Sequence, residues 1–149
     1  MITIFDIHKR IVEILNIVYI NTPIKVITSD KMEDIDEQRP CFKVDVEPIL
    51  SEPVMSGYDI TEAMIITYFP SVDFTEYSLR EKLENVYDEL NDIFVVNFLI
   101  RPASEEMTTS LVVANKNYNE DTEGMYMTFT FDVSYHNLTR ERENKHQIV

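Results

Sequence analysis

The run from Met125 to Tyr135 constrains this chain most. Met125, Met127, Phe129, Phe131, Val133 and Tyr135 point one way, and Thr128, Thr130, Asp132 and Ser134 point the other. That period of two belongs to a β-strand with one buried and one wet face. Such a strand needs sheet neighbours for its backbone and a covering layer for its apolar side. The rest of the chain must supply both.

Two segments supply the cover. Ile4, Ile7, Ile11, Ile14, Leu15 and Val18 repeat at helical spacing, with Asp6, Arg10 and Glu13 opposite, and Thr3 with Asp6 has the spacing of a capping box. A helix is predicted over residues 3–19. A second stripe, Leu79, Leu83, Val86, Leu90 and Ile93, follows a second capping-box pair, Ser78 and Glu81. Its outer face carries Glu84, Asp88, Glu89 and Asp92. Three of these crowd the C-terminal turn, where the helix dipole disfavours anions by about 0.3–1 kcal/mol each. Helix stability does not explain that choice.

The neighbouring strands are read from shorter patterns. Residues 24–27 make a short strand, Cys41–Val46 alternates cleanly, and Asp59–Phe69 is apolar on both faces over its second half before Pro70 stops it. Residues 95–100 and 111–114 are further candidates. Ser29–Pro40, with Asp30, Glu33, Asp34, Asp36 and Glu37, reads as a solvated loop, and 115–123 as a polar turn. The link from Pro48 to Met55 reads as an apolar hairpin tip. The expected fold class is α+β: a mainly antiparallel sheet with two helices packed on one face, a single domain over residues 1–137 and a polar tail over 138–149.

Composition removes several function classes. The chain has only two glycines, Gly57 and Gly124, among 149 residues. Neither a P-loop nor a dinucleotide fingerprint can be built from glycines that far apart, because each needs closely spaced ones where backbone meets phosphate. A formal net charge of -14 opposes phosphate backbones and anionic membranes, and the thirteen Lys and Arg residues are scattered. The single cysteine, Cys41, excludes an internal disulfide and is expected to be a partly buried, inert thiol. With no leader pattern and no apolar run of membrane length, the expectation is a soluble, intracellularly made protein.

No catalytic pattern emerges. His8, His136 and His146 form no metal-ligand spacing, and His8 is expected to be a helix-flank residue hydrogen-bonded to its surroundings. No serine stands in a G-x-S-x-G turn. The acidic stretch from Asp30 has Ile35 and Cys41 where a calcium loop needs Gly and Glu. The expectation is a non-enzyme with no catalytic, cofactor or metal residues and no cofactor.

Three features exceed what a monomer needs: the two-faced apolar strand, the apolar link and the acidic outer helix face. They favour an assembly component. The candidate partner interface is Pro48, Ile49, Leu50, Pro53, Val54 and Met55. The candidate acidic bore or terminal face is Asp88, Glu89, Asp92, Glu120, Asp121 and Glu123.

The amphipathic opening, Arg39-Pro40-Cys41-Phe42-Lys43-Val44, Ile65-Ile66-Thr67-Tyr68-Phe69-Pro70, the helix around Leu83–Leu90 and the strand Met127–Tyr135 together resemble the phage tail terminator family, in its small acidic form from Gram-positive hosts. The resemblance implies a virion protein, assembled in the host cytoplasm, that forms a ring, usually hexameric, at the neck end of the tail. Such a ring halts tube growth and docks the neck. Its implied partners are copies of itself, the tail tube protein, a neck or head-completion protein and, in a contractile tail, the sheath. DNA passes through without being specifically bound, and no membrane is involved. It carries over no catalytic residue. Two other readings stay open here: a neck or head-completion protein, and an acidic nucleic-acid mimic that inhibits a basic protein.

Overall fold

The computed structural model describes residues 1–28, 31–72, 76–94, 97–102 and 108–138. Within them the elements run α1 (Ile4–Val18), β1 (Lys25–Ile27), α2 (Met32–Gln38), β2 (Cys41–Val54), β3 (Gly57–Phe69), α3 (Glu76–Ile93), β4 (Asn97–Ile100), β5 (Thr109–Asp121) and β6 (Tyr126–Leu138). The strands form one six-stranded sheet in the order β1-β2-β3-β6-β5-β4, antiparallel except where β1 runs parallel to β2. The α+β class expected from the sequence is the one found.

The capping box at Thr3 forms in both directions. Asp6 N donates to Thr3 Oγ1 at 3.2 Å, and Thr3 N donates to Asp6 Oδ2 at 2.9 Å, so aspartate replaces the usual glutamate without loss of either bond. Ile7, Ile11 and Leu15 of α1 then join Leu79, Leu83, Val86 and Leu90 of α3 in one buried cluster. Beneath them lie Phe42, Val44, Met64, Ile66, Tyr68, Met127, Phe129, Phe131 and Val133. Register explains the shared face: Phe42 pairs with Tyr68, Val44 with Ile66, Ile66 with Phe129 and Met64 with Phe131. The alternating side of β6 assigned from its period of two is thus the core side.

The helix α1 also reaches strands toward both ends of the sheet. His8 Nε2 lies 3.0 Å from the Val44 carbonyl oxygen of β2, and Arg10 Nε donates to the Leu99 carbonyl of β4 at 2.7 Å. The sheet curls so that its two flanks approach α1 from opposite sides, and His8 is the hydrogen-bonded flank residue that its position implied.

Four boundaries differ from expectation. Residues 32–38 form α2 rather than a loop. A helix of seven residues buries one side chain, Ile35, which leaves no repeat to detect; Glu33 and Asp34 in its first turn suit the helix dipole. Ile35 packs with Ile27, Cys41 and Phe69 on the far side of the sheet, so a third helix covers part of the face expected to be bare. Asp30 lies outside the described residues.

The link from Pro48 to Val54 is strand, not loop. β2 reaches Val54, a two-residue turn follows at Met55 and Ser56, and a register shift between Pro48 and Leu50 accommodates the extra residue. Proline suggested a loop because it cannot donate to a ladder. β1 pairs only with Cys41 to Lys43, so the distal part of β2 is a border of the sheet where proline is tolerated.

Residues 115–121 likewise continue β5 rather than turning. Asn115 takes a positive φ of 53° at a register shift between Ala114 and Asn117, a conformation asparagine accepts. The chain reverses at 122–125, and β6 starts at Tyr126. Finally, α3 begins at Glu76, so Ser78 lies inside the helix and is not its cap. Residues 95 and 96 of the expected fourth strand, and 139–149 of the expected tail, lie outside the described residues.

The two stretches singled out before and after the hairpin meet at Arg39. Its side chain is 4% exposed and donates to Asp36 Oδ1 (2.8 Å) and to the carbonyls of Pro70 (3.3 Å), Met125 (2.5 Å) and Gly124 (3.2 Å). Its guanidinium also stands 5.2 Å from the centre of the Phe69 ring. One planar fork therefore ties α2, the end of β3 and the β5–β6 turn together.

Candidate interaction surface

Beyond Val46 and Glu62 the β2–β3 hairpin leaves the helices behind. Every residue from Glu47 to Ser56 is exposed. The arm carries Ile49, Leu50, Val54, Met55 and Tyr58 bare to solvent, with Leu138 at the adjoining end of β6. Met55, at the tip, is fully exposed. All six residues expected as a partner interface lie on this arm. They form a strand and turn rather than an irregular tip. Their exposure removes the reading in which the link folds back on the core.

The arm is also well made. β3 pairs with β6 as far as Gly57–Leu138, so the arm is supported on one side along its length. Gly57 has φ +154°, and a Cβ there would stand 1.9 Å from the Asn137 carbonyl oxygen. Only glycine allows the strands to approach so closely. Asn137 in turn bonds the N-terminus in both directions, accepting from Ile2 N at 3.0 Å and donating to Ile2 O at 2.9 Å.

Three noncontiguous residues brace the turn. Ser56 Oγ lies 3.2 Å from His136 Nε2, and His136 Nδ1 lies 2.8 Å from Asp59 Oδ1. The order Ser-His-Asp matches that of a hydrolase triad, but the surroundings do not. A triad aspartate is buried to lock the imidazole, whereas Asp59 is 60% exposed. The constellation clasps the hairpin end. It was illegible in the sequence because residues 56, 59 and 136 show no shared spacing.

The six acidic candidates divide into two groups. Glu120 and Asp121 are committed locally: Arg80 Nε donates to Glu120 at 3.2 Å, Tyr118 Oη donates to the same carboxylate, and Gly124 N donates to Asp121 at 2.7 Å. Glu123 is exposed in the turn beside them. Asp88, Glu89 and Asp92 lie eight or more residues beyond Arg80 along α3, about 12 Å or more away. Asp88 and Asp92 are exposed, while Glu89 accepts from Tyr19 Oη at 2.6 Å.

Tyrosine is the recurring partner of the carboxylates. Tyr19 bonds Glu89, Tyr118 bonds Glu120, Tyr135 bonds Glu62 and Tyr126 bonds Asp121. Burial, reinforced by the bonded carboxylate, pushes the Tyr19, Tyr118 and Tyr135 phenols well above their ordinary range. Glu62 is only 2% exposed, and burial raises its carboxyl above the usual range despite the Tyr135 bond. With 27 acids against 13 bases, phenols supply hydrogen bonds that cations are too few to supply.

Cys41 is buried and free, and burial pushes its thiol up. Among the described residues no group of His, Cys, Asp and Glu is placed to hold a metal ion, and no helix is long and apolar enough to cross a membrane.

Comparison with known proteins adds the family. No curated protein matches the chain. A family model described as phage tail terminator protein matches residues 6–146, which takes in α1 from Asp6, the eight described elements that follow it, the Arg39 clasp and the exposed arm. The chain belongs to the phage tail terminator family and is a structural component of the virion tail, working in contact with other tail components.

Proposed function

We propose that this chain forms a ring at the neck end of the tail, caps the tail tube, stops its polymerisation and presents the surface on which the neck docks. The exposed arm carries this reading. A subunit ends a polymer when one face matches the growing end and the opposite face does not regenerate it. An apolar arm held clear of the core, with glycine, proline and a Ser56–His136–Asp59 clasp shaping it, serves such a docking face.

The exposed carboxylates fit the other half of the task. Among the described residues, Asp88 and Asp92 on α3 and Glu123 in the β5–β6 turn make none of the tyrosine and arginine bonds that hold their neighbours. In this proposal they line the bore or mark the terminal face, where negative charge repels passing DNA. The host cytoplasm is the proposed place of assembly.

The direct test mixes the purified protein with polymerising tail tube subunits and images the products. Tubes of finite length with density at one end support the proposal. Tubes that grow as if nothing were added, with the protein bound instead to isolated neck or portal-side rings, favour a neck protein and reject a terminator.

A further inference from the structure

The arm has a sign as well as a shape. Between Lys43 and Arg80 the sequence contains no lysine or arginine, and the arm region carries Glu47, Glu52 and Asp59. A concavity elsewhere on the molecule has a small excess of the opposite sign. A cavity of about 430 Å³ between α1 and β4 is lined by Lys9, Arg10 and Arg101, with Asp6, Glu13 and Leu99. Lys9 and Arg101 are exposed, while Arg10 is held by Leu99 O and by Glu13 at 3.4 Å. Leu99, 55% exposed, gives the cavity an apolar surface. Three cations against two carboxylates give the cavity a small positive excess in a chain of net charge -14, and its exposed Lys9 and Arg101 attract an acidic, apolar arm.

Arm and cavity stand on opposite flanks of α1. The β2 flank is reached by His8, and the β4 flank by Arg10. A contact between them joins one copy to the next head to tail, and contacts of that kind close into a ring when the rotation from copy to copy closes. Two further features favour side-chain docking over strand addition. Pro48 and Pro53 both lie on the border strand of the arm, where each removes a donor that an added strand would use.

We propose that the β2–β3 arm of one copy seats in the α1–β4 cavity of the next, with Met55 and Val54 against Leu99 and with Glu52 facing Lys9 and Arg101. This rests on the ring reading above and names its intersubunit contact.

Sedimentation of four proteins at matched concentration tests it, with circular dichroism confirming that each keeps the native fold. They are the native chain, a cavity variant (Lys9→Glu with Arg101→Glu), an arm variant (Glu52→Lys) and a chain with all three changes. The native chain should oligomerise, the cavity variant and the arm variant should each associate about tenfold or more weakly, and the combined chain should recover. Native-like assembly of either the cavity or the arm variant, or no recovery in the combined chain, overturns this contact while leaving a ring intact. A native chain that stays monomeric at every concentration, with tube subunits present, overturns both the ring and the contact. Cross-linking gives a measure independent of charge. Oxidised Met55→Cys with Leu99→Cys should yield a ladder of linked multimers that neither single variant forms, since Cys41 is buried. Absence of the ladder overturns the proposal.

Discussion

The two halves of the β2–β3 hairpin share a ladder but not an environment. In the half from Cys41 to Val46 and from Met64 to Phe69, the inward side chains Phe42, Val44, Met64, Ile66 and Tyr68 are buried under α1 and α3. In the other half, Ile49, Leu50, Val54 and Met55 are as apolar, yet lie bare. Glu62 marks the border. It is the first inward position of β3 beyond Met64 that is not apolar, and it remains buried because Tyr135 satisfies it. Hydrophobicity therefore does not decide burial in this hairpin; the reach of the helices does. A strand surface that no helix covers is available to another subunit.

The sharpest way to break the buried half is Arg39→Ala. It leaves the Pro70, Met125 and Gly124 carbonyls without their donor and should cost about 3 kcal/mol in denaturant unfolding. Arg39→Lys should recover little, because an ammonium cannot span the same fork. A loss under about 1 kcal/mol for the alanine variant would show that the clasp is dispensable.

Next in size is Gly57→Ala at the root of the arm. The new methyl meets the Asn137 carbonyl, and separating the strands should cost about 2 kcal/mol. A native-like melting temperature would contradict the close approach of β3 and β6.

The border residue responds to pH. The folded chain holds the Glu62 proton more tightly than the unfolded chain does, because burial raises its carboxyl. Glu62 therefore supports folding fully below the ordinary carboxylate value, about 4.3. That support is lost as pH rises through its raised folded value. Glu62→Gln keeps an acceptor for Tyr135 but cannot ionise. Melting temperatures should rise for the variant relative to the native chain between pH 4 and pH 7, and a constant difference would reject the coupling. The remaining carboxylates cancel in the comparison.

The smallest effect on stability belongs to the arm. Leu50→Glu with Met55→Glu should change unfolding free energy by no more than about 0.5 kcal/mol, since both side chains are exposed. The same protein should fail to cap tail tubes in an assembly assay. Loss of folding instead would place the arm in the core.

How much was legible follows the same division. Helix α1, the stripe of α3 and the buried side of β6 were read correctly, because a side chain buried every 3.6 or every 2 residues leaves a repeat. Helix α2 was missed because it buries Ile35 alone. The distal parts of β2 and β5 were missed because their prolines, asparagines and acids satisfy turn rules, while their pairing comes from β3 and β6. The arm residues were identified as a candidate surface from their apolar character, but their form as an extended strand was not. The acidic candidates came from charge alone, and α3 holds its group well apart from the β5–β6 turn. Arg39 stood in a recognised stretch without a role, since its three backbone acceptors are 31, 85 and 86 residues away.

By itself, the sequence determined which faces of the helices and of β6 seek burial, that no glycine-cradled phosphate site exists, and that the surface is strongly acidic. Those properties follow from local periodicity and from composition, which need no partner to be defined. Tertiary structure decided which apolar side chains stay exposed, which carboxylates find a tyrosine, and that Gly57 must be glycine. Each of these depends on what another segment places within a few ångströms, and sequence order does not carry that information.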